Sequence, residues 1–554
     1  MSKEERPWLK LYPSGVPANI DPDSYPTVVS LVEESFKKYK ALPAYTCMGK
    51  DLTFGQVDKL SSQFGAYLLS RGLEPGDKVA LMMPNLLQYP VALFGALKAG
   101  LIVVNTNPLY TPREMKHQFV DSEAKAIVIA ENFAANLESI LSDTQIKTVI
   151  VTSIGEMLGM VKGALVNIAV RHFKKMVPKY NIPNTVSFRE ALKQGKKFTL
   201  PPLEGVGSDT ILLQYTGGTT GVSKGASLTN RNLVANLLQI QAVMNPFLKE
   251  QEETALSPLP MYHIFAFTVN CLALMTIGTR TVLITNARDI KSLIKTWKEY
   301  PISILTGVNT LFNALINDAA FKEIDFSPLK ITVGGGMAVQ RPVAEKWQQI
   351  TGCPLSEGYG MTEASPVVTI NPLDGSGRIG TIGLPLPSTD VRIVSEEGNV
   401  LKPNEPGEIQ VKGPQVMKGY YKRPEATAET IKDGWLCTGD IGMMSDDGFF
   451  SIVDRKKDMI LVSGFNVFPN EIEDVVAANP KVLECAAVGV PDEKSGEVVK
   501  VFVVKKDKSL TEKELIDFCR QNLTGYKVPK QVEFRKDLPK TNVGKILRRE
   551  LRGK

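Results

Sequence analysis

Short apolar runs rich in β-branched residues alternate with stretches of helical periodicity over the first four-fifths of the chain. Examples of these runs are KVALMM, LIVVNT, AKAIVIA, KTVIVT and TVLIT. Buried strands of parallel sheets have this composition, and helices cross over between such strands. The pattern predicts an α/β fold, with several layers of helix and sheet in one large N-terminal domain.

The pattern changes after Arg455. Two predicted helix starts, at 469–473 and 511–514, have Asn470 and Thr511 as their N-cap residues. The strand-like runs CAAVGV and VVKVFVV lie between them, so we predict a small α+β C-terminal domain. The predicted divisions are an N-terminal domain at 1–453, a hinge at 454–457 and a C-terminal domain at 458–554.

The segment 157–180 carries apolar residues at helical spacing, among them Leu158, Val161, Leu165 and Ile168, with basic residues interspersed. Two interpretations are open for it. It is either an interfacial amphipathic helix, which would contact a membrane surface, or an ordinary surface helix that covers the core.

A stretch without formal charge at 254–279 contains prolines and polar residues, so it predicts buried core rather than a membrane span. The amino-terminal sequence MSKEERPWLK is charged and then meets a proline, unlike a signal peptide. Six cysteines without C-x-x-C spacing favour a reducing compartment and argue against a zinc knuckle. We expect a cytoplasmic protein, with at most peripheral contact with the inner face of the membrane.

The positive charge of the chain is unevenly distributed. Its net charge is +6, and residues 455–554 alone hold 21 Lys and Arg against 15 Asp and Glu. A basic module beside a neutral one suits a polyanionic ligand such as a nucleotide or CoA, or else provides a solubilising surface. Only three histidines are present, which excludes a histidine-rich metal site. We expect no nucleic-acid partner.

The glycine-rich loop YTGGTTGVSKG, at 215–225, follows the strand-like run TILLQ. Glycines let the backbone wrap a phosphate, hydroxyl groups add donors, and Lys224 adds a point charge. A Walker-type P-loop is excluded because Ser223 precedes the lysine and Gly225 follows it. A hydrolase elbow would match GVSKG, but its serine should directly follow a strand, and His263 is the only histidine downstream. The length and composition favour a phosphate loop over a plain glycine turn.

This loop resembles the phosphate loop of the adenylate-forming enzymes, which include acyl-CoA synthetases, luciferases and the adenylation domains of peptide synthetases. Six further motifs follow in the order of that family: LPMYHIFAF at 259–267, VGGGMAV at 333–339, SEGYGMTE at 356–363, GWLCTGD at 434–440, DRKKDMILVSGFNVFPNEIE at 454–473 and PKTNVGK at 539–545. The resemblance covers nearly the whole chain and is closest to bacterial long-chain fatty acid–CoA ligases. One departure is Cys437, where such ligases often carry His.

The resemblance implies an acid–thiol ligase, specifically an AMP-forming long-chain acyl-CoA synthetase. A fatty carboxylate would attack the α-phosphate of ATP in the presence of Mg²⁺, and CoA would then displace AMP. An aryl- or medium-chain acyl-CoA ligase is the alternative within the enzyme class, and a membrane-surface fatty acid binding protein is the alternative outside it. The implied partners are fatty acid, ATP and CoA, and the protein is expected to be a monomer or a homodimer.

The resemblance also implies site residues. Lys545 would bridge the attacking carboxylate and the α-phosphate, Thr362 would donate to the same phosphate, and Thr216 and Glu363 would hold Mg²⁺. His263 would lie at the carboxylate end of the acyl pocket, the alternative being a core histidine. The implied ATP-binding residues are Tyr215, Thr216, Gly217, Gly218, Thr219, Thr220, Gly221, Ser223, Lys224, Gly225, Gly334, Gly335, Gly336, Glu357, Gly358, Tyr359, Gly360, Met361, Thr362, Asp440 and Arg455.

Within that set, the family places Tyr359 against adenine and Asp440 on the ribose hydroxyls, with Arg455 near the same sugar. It also implies a mobile C-terminal domain that rotates about Lys457 between the two steps. The remaining implied residues are His263, Phe267 and Val333 in the acyl pocket, and Ser463, Gly464 and Phe465 in the CoA channel.

Overall fold

The computed structural model describes residues 6–216, 223–455, 457–463, 465–492, 495–541 and 543–552. Its helices are α1 (Val28–Lys38), α2 (Phe54–Ser70), α3 (Gln88–Lys98), α4 (Pro112–Ser122), α5 (Ala134–Glu138), α6 (Met160–Ile168), α7 (Phe188–Gly195), α8 (Asn230–Met244), α9 (Ile264–Ala266), α10 (Ile290–Lys298), α11 (Asn309–Ile316), α12 (Arg341–Thr351), α13 (Pro424–Thr430), α14 (Pro469–Ala477), α15 (Glu512–Asn522) and α16 (Arg548–Leu551).

The strands are β1 (Pro43–Cys47), β2 (Lys50–Thr53), β3 (Lys78–Met82), β4 (Ile102–Asn105), β5 (Ala124–Ala130), β6 (Thr148–Thr152), β7 (Val186–Ser187), β8 (Thr210–Thr216), β9 (Lys224–Thr229), β10 (Thr254–Ser257), β11 (Arg280–Leu283), β12 (Ile304–Gly307), β13 (Ile331–Gly335), β14 (Leu355–Gly360), β15 (Val367–Ile370), β16 (Leu384–Pro385), β17 (Asp390–Val394), β18 (Gly407–Lys412), β19 (Gly419–Tyr420), β20 (Ile431–Lys432), β21 (Trp435–Met444), β22 (Phe450–Arg455), β23 (Ile460–Val462), β24 (Phe465–Val467), β25 (Val482–Asp492), β26 (Gly496–Lys505) and β27 (Gln531–Arg535).

Across the described residues these strands form four sheets. The first has the order β16-β15-β14-β13-β12-β10-β11-β1-β2, and the second has the order β19-β9-β8-β4-β3-β5-β6-β7. The first sheet is parallel at its centre and antiparallel at both edges. The second is parallel from β8 to β7 and antiparallel only at its β19-β9-β8 edge. The third sheet is β17-β18-β21-β20 with β22 paired to β21, and the fourth is β24-β23-β26-β25 with β27 paired to β26.

The large domain is layered because the strands of its two main sheets are buried on both faces. In β3, Val79 and Leu81 join an inner core shared with α1, α2, α3 and α8, whereas Ala80 and Met82 join an outer core under α4 and α5. Successive side chains of a strand point to opposite faces, so each face needs its own cover. Helices α10, α11 and α12 cover the far face of the first sheet. The predicted multi-layer α/β fold is confirmed.

The chain passes from the third sheet to the fourth between Arg455 and Ile460, where the hinge was predicted. The fourth sheet, α14 and α15 enclose a separate core and form the small α+β domain. Thr511 caps α15 as predicted, by accepting a hydrogen bond from the Glu514 amide. The predicted N-cap Asn470 is wrong, because α14 begins one residue earlier at a proline, which is well suited to the first helical position.

The helix predicted within 157–180 exists as α6 and continues as a π-helical segment, Ala169–Phe173. Leu158 is buried, but Val161, Leu165 and Ile168 are exposed, so this stripe does not cover the core. The ordinary surface-helix interpretation is therefore wrong for these three residues.

The uncharged stretch at 254–279 is largely buried, which confirms it as core. Within the described ranges, no helix is both long enough and apolar enough to cross a bilayer. Each of the six cysteines is a free thiol.

Candidate active site

A cleft of about 1650 Å³ lies between the two domains and is lined by residues of both. The carboxyl ends of β13 and β14 open into it from the large domain, and Thr541, Lys545 and Arg548 face it from the small domain. Ligands of open α/β sheets bind at the carboxyl ends of the strands, so the cleft lies where such a site is expected.

The two ends of the predicted phosphate loop reach this cleft. Strands β8 and β9 form an antiparallel hairpin in which Thr216 is opposite Lys224, and both residues line the cleft together with Ser223. The Lys224 ammonium lies 5.1 Å from the centroid of the Tyr420 ring. The other predicted loop residues, Gly217, Gly218, Thr219, Thr220 and Gly221, lie outside the described residues.

Helix α4 holds both ends of the phosphate loop. The Tyr215 hydroxyl, at the start of the loop, donates a 2.7 Å hydrogen bond to Asp121. At the other end, Nε2 of His117 lies 2.9 Å from the carbonyl oxygen of Ser223. Residues four apart in a helix share one face, so a single face of α4 fixes the loop. A Cβ on Gly225 would lie 3.0 Å from the Tyr215 ring, which explains the glycine there.

Strand β14 ends in a tight turn beside the predicted nucleotide residues. Gly360 has no room for a side chain, because a Cβ would lie 2.0 Å from the carbonyl oxygen of Pro366. The Tyr359 hydroxyl donates a 2.7 Å hydrogen bond to Asp440, and burial raises the pKa of Tyr359. Arg455 lies opposite Asp440 in the β21–β22 pairing, with Nε 3.4 Å from the carboxylate. These three predicted residues therefore form one connected group.

Most of the remaining predicted ATP-binding residues line the cleft, and one lies behind its wall. Gly335, Gly336 and Glu357 line the cleft, and Gly334 does not. A Cβ on Gly334 would lie 2.6 Å from Val339, so this glycine permits packing behind the wall. Glu357 accepts a 3.2 Å hydrogen bond from the Val339 amide, and burial raises the pKa of its carboxyl to about 8. Gly358, Gly360, Met361 and Thr362, which were also predicted, line the wall as well.

Glu363 offers a buried carboxylate to the cleft. It accepts a 2.7 Å hydrogen bond from the Tyr420 hydroxyl, and no cationic side chain among the described residues forms an ion pair with it. Burial accordingly raises the pKa of Glu363. No cluster of three or more His, Cys, Asp or Glu in the described part of the chain could hold a metal. Glu363 and Thr216 both line the cleft and offer the oxygen donors that Mg²⁺ prefers, and this ion takes one or two protein oxygens and keeps several waters.

Lys545 reaches the cleft from the small domain and lies against Gly336. Gly336 has φ +78°, and a Cβ there would lie 3.1 Å from Lys545 Cε. The turn that carries the lysine is closed by a 2.7 Å hydrogen bond from the Thr541 amide to the Lys545 carbonyl. Desolvation in the cleft, followed by repulsion from Arg455, lowers the pKa of Lys545 to about 8. The predicted catalytic ammonium thus sits among the predicted nucleotide residues.

His263 and Val333 line the cleft, as the acyl-pocket prediction requires. Desolvation, followed by repulsion from Lys545, lowers the pKa of His263 to about 3, so this imidazole is neutral near pH 7. Phe267 is placed differently, because its side chain is 1% exposed and lies in the core. Phe265, two residues earlier, lines the cleft instead.

The predicted CoA-channel residues are not brought to the cleft in this arrangement. Ser463 lies in the β23–β24 turn, Phe465 is exposed and stacks on Tyr526 at 4.7 Å between ring centroids, and neither lines the cleft. Gly464 lies outside the described residues. Lys457 does line the cleft, and its carbonyl oxygen accepts a 3.0 Å hydrogen bond from Arg552.

Arg548, three positions after the predicted catalytic lysine, links the predicted hinge residue Asp454 to the small domain. Its guanidinium contacts Asp454 at 3.1 Å and Glu473 at 2.7 Å, and both carboxylates are buried or nearly so. Burial raises the pKa of Glu473, while Arg548 lowers it. The Arg548 guanidinium on α16 therefore joins β22, the last strand of the large domain, to α14.

Residues 32–421 match the AMP-binding enzyme family, and residues 471–545 match the C-terminal domain of AMP-binding enzymes. The chain belongs to the AMP-binding enzyme family. It is 57% identical over 549 residues to the long-chain-fatty-acid–CoA ligase of Yersinia pestis, covering 99% of this chain and 98% of the relative. The enzyme of that name from Bacillus subtilis is 38% identical over 553 residues, with the same coverage of each chain.

Solved structures have the same fold as this AMP-binding enzyme. ATP-bound MatB from Rhodopseudomonas palustris superposes with a TM-score of 0.81 at 26% identity, covering 95% of this chain and 98% of that one. The anthranilate CoA ligase AuaEII in complex with anthranoyl-AMP gives a TM-score of 0.85 at 24% identity, covering 96% and 98%. The large N-terminal and small C-terminal domains are therefore those of the family.

Several residues of this AMP-binding enzyme that support the site were not predicted. They are His117 and Asp121 behind the phosphate loop, Tyr420 on Glu363, and Thr310 and Arg548 around the lysine turn. Their signal in sequence is weak, because each is a common polar residue whose partner is far away along the chain. The i, i+4 spacing of His117 and Asp121 places both on one face only once α4 is known to be a helix.

Proposed function

We propose that this chain is a long-chain fatty acid–CoA ligase. It converts a fatty carboxylate and ATP to acyl-AMP and pyrophosphate, and then converts acyl-AMP and CoA to acyl-CoA and AMP. The observation that carries the proposal is the position of Lys545, which the small domain delivers to Gly336 in a cleft that also holds Tyr359, Asp440 and Glu363. The names of the relatives from Yersinia pestis and Bacillus subtilis support the same activity.

In the first step a carboxylate oxygen bonds to the α-phosphorus, and the bond from that phosphorus to the bridging oxygen of pyrophosphate breaks. Negative charge grows on the α-phosphate oxygens, where the Lys545 ammonium and the Thr362 hydroxyl stabilise it. Thr216 and Glu363 would hold Mg²⁺, which offsets phosphate charge when it is bound. Tyr359 and Asp440 orient the nucleoside, so the reacting phosphorus is held in place.

In the second step the CoA thiol loses its proton to water and its sulfur bonds to the acyl carbon. The bond from that carbon to the phosphate oxygen breaks, and AMP leaves. No protein nucleophile is required in either step, so catalysis consists of positioning and electrostatic stabilisation. This fits a cleft whose cations come from two different domains.

The two steps need different domain arrangements. With Lys545 over the phosphates, the predicted CoA-channel residues Ser463 and Phe465 lie away from the cleft. We propose that the small domain rotates about Lys457 after adenylation, which withdraws the lysine and brings the β23–β24 turn to the cleft. Hinge motions of this kind concentrate the backbone change in a few residues. The division at 454–457 is part of the same proposal.

The acyl group is assigned to the part of the cleft near His263 and Val333. A long-chain substrate would approach this enzyme from a membrane, so peripheral contact with the inner membrane face belongs to the proposal, as does a cytoplasmic monomer or homodimer. Aryl- and medium-chain acids are the competing substrates, and a carrier without chemistry is the competing function.

The test is an assay of AMP release across short-, medium- and long-chain acids and aryl acids, with and without CoA. Exchange of labelled pyrophosphate into ATP isolates the first step. The expected result is fatty-acid-dependent exchange without CoA, and AMP release that is greatest with long chains when CoA is present. Absence of exchange with every acid would refute the assigned chemistry, and preference for an aryl acid would refute the substrate class.

A further inference from the structure

Helix α6 and the segment after it turn their large apolar side chains outward. Met160 is 84% exposed, Val161 76%, Leu165 64% and Phe173 82%. We define the 160–176 patch as Met160, Val161, Leu165, Ile168, Phe173 and Met176. Among the described residues, sixteen large hydrophobic side chains are exposed, and these six fall within seventeen consecutive positions. Isolated exposed hydrophobic residues are ordinary, but a contiguous group of this kind marks an interaction surface.

The opposite face of α6 fixes this orientation. Gly163 packs so closely on Gly155 that a Cβ would lie 2.3 Å from the Gly155 carbonyl oxygen. Asn167 accepts a 2.8 Å hydrogen bond from the Gly155 amide and donates a 2.9 Å hydrogen bond to the Ser153 hydroxyl. Val170 is buried. The inward residues Gly163, Asn167 and Val170 recur at helical spacing and occupy one face of α6. Because that face is packed against the protein, the apolar stripe on the other face is left towards solvent.

The charged residues of the patch segment itself are all basic. The segment 157–180 holds five Lys and Arg and no Asp or Glu. Arg171 is paired with Glu131 at 2.7 Å, and the Lys162 ammonium donates to the carbonyl of Met48. The other basic residues are Lys174, Lys175 and Lys179, which are exposed and follow the apolar stripe directly. Exposed apolar side chains next to exposed lysines are the arrangement that binds anionic lipid.

We propose that the 160–176 patch docks this protein on an anionic lipid surface. The apolar side chains enter the boundary between headgroups and acyl chains, and the lysines contact lipid phosphates. A bilayer is the occupant that matches both features, because it offers apolar depth and negative charge side by side. The inference deepens the proposed function, on which it rests for its purpose, because a long-chain acid partitions into bilayers and would be collected there.

The test is co-flotation of the full chain with vesicles of two parts phosphatidylethanolamine to one part anionic phosphatidylglycerol, compared with neutral phosphatidylcholine vesicles. The double variant Leu165→Ser with Phe173→Ser should lower binding to the anionic vesicles about tenfold or more, because two apolar anchors are lost. The double variant Lys174→Glu with Lys179→Glu should lower it about tenfold or more on anionic vesicles only, since each basic residue near such a surface contributes about fivefold.

The matched control is Val400→Ser with Lys402→Glu, which removes an exposed apolar residue and a lysine outside the patch. It should bind vesicles like the unaltered protein. Equal binding by the control and the Leu165/Phe173 variant would overturn the proposal. Self-association that the Leu165/Phe173 variant abolishes, without any vesicle binding, would assign the patch to a second copy of the chain and also overturn it.

Ligase activity is measured separately on fatty acid in solution without vesicles. All patch variants should keep it, because none of these residues lines the cleft. Patch-dependent vesicle binding by a protein that fails to release AMP would leave the docking surface standing and remove the proposed activity. Normal AMP release, together with vesicle binding that the patch variants do not change, would overturn the docking surface and leave the proposed activity standing.

Discussion

The hydroxyl of Thr310, on α11 of the large domain, donates a 3.0 Å hydrogen bond to the carbonyl oxygen of Gly544, which directly precedes Lys545 in the small domain. One helical turn later, Asn313 donates a 2.7 Å hydrogen bond to the carbonyl oxygen of Leu483. A single face of α11 therefore contacts the small domain at two points. These contacts position the lysine turn over the cleft.

Thr310→Val is expected to slow acyl-AMP formation about fivefold, because it removes one hydrogen bond of about 1 kcal/mol that holds the lysine turn. Thioester formation from supplied acyl-AMP should not change, since the proposed second step does not use this arrangement. Pyrophosphate exchange and acyl-CoA formation from synthetic acyl-AMP measure the two steps separately. Thr296→Val is the matched control, because Thr296 makes a 3.0 Å hydroxyl–carbonyl bond within α10 and does not line the cleft. Equal slowing of both steps would contradict a positioning role for Thr310.

Lys545→Ala is expected to lower the rate of acyl-AMP formation roughly 10²- to 10³-fold, because the variant lacks the ammonium that stabilises the negative charge growing on the α-phosphate. The variant should still form acyl-CoA from supplied acyl-AMP. Lys536→Ala, at an exposed position of the same domain, serves as the control and should leave both rates unchanged. If Lys545→Ala reduced both half-reactions equally, the proposed division of labour between the two domain arrangements would be wrong.

The pH dependence of adenylation should report Lys545. Burial and Arg455 lower the pKa of this lysine to about 8, so it is mostly protonated at pH 7 and loses its charge as the pH rises. The kcat/KM of pyrophosphate exchange should therefore fall above about pH 8, approaching tenfold per pH unit. The Lys545→Arg variant keeps its positive charge at high pH. The fall in its kcat/KM should therefore begin at higher pH, even if its rate is lower throughout. A flat profile up to pH 10 in the unaltered enzyme would exclude the assignment.

Tyr359→Phe is expected to raise the KM for ATP about tenfold with little change in kcat, because Asp440 loses the hydrogen bond that orients its carboxylate. The aromatic ring remains, so stacking on the base should be retained. Tyr12→Phe is the matched control, since its hydroxyl donates to the Pro385 carbonyl away from the cleft. Steady-state kinetics at saturating fatty acid and CoA distinguish the two variants. An unchanged KM for Tyr359→Phe would show that Asp440 needs no help from this hydroxyl.

Arg548→Met is expected to lower the free energy of unfolding of the small domain by about 3 to 5 kcal/mol, because Asp454 and Glu473 keep their charge without a partner. Burial raises the pKa of Glu473, and removal of the cation raises it further, so stability should return as the pH falls and the carboxyl is protonated. Urea unfolding at pH 8 and pH 5 measures this difference. Arg549→Met, at the exposed neighbouring position, is the control. A loss that does not shrink at low pH would point to packing rather than charge.

The motifs of the sequence predicted much of the fold and the membership of the site. Apolar runs of strand length and the periodic stretches between them carry the α/β pattern, because buried parallel strands require continuous hydrophobicity. The glycine-rich loop at 215–225 carried the phosphate prediction, because wrapping a phosphate needs glycines and fixed charge at particular spacings. The roles of Tyr359, Asp440 and Lys545 came from the resemblance to the adenylate-forming enzymes. The strand pattern and the loop composition are local properties, so the order of residues along the chain is enough to establish them.

The tertiary structure decided which way each side chain faces. Phe265 lines the cleft and Phe267 does not, because the rotation of a short helix depends on what packs behind it. In the same way Gly163, packed on Gly155, turns the apolar stripe of α6 outward. The Thr310–Gly544 bond joins residues 234 positions apart, and neither residue type signals the other. Periodicity establishes that a helix has two faces, but only its neighbours in the folded chain determine which one is buried.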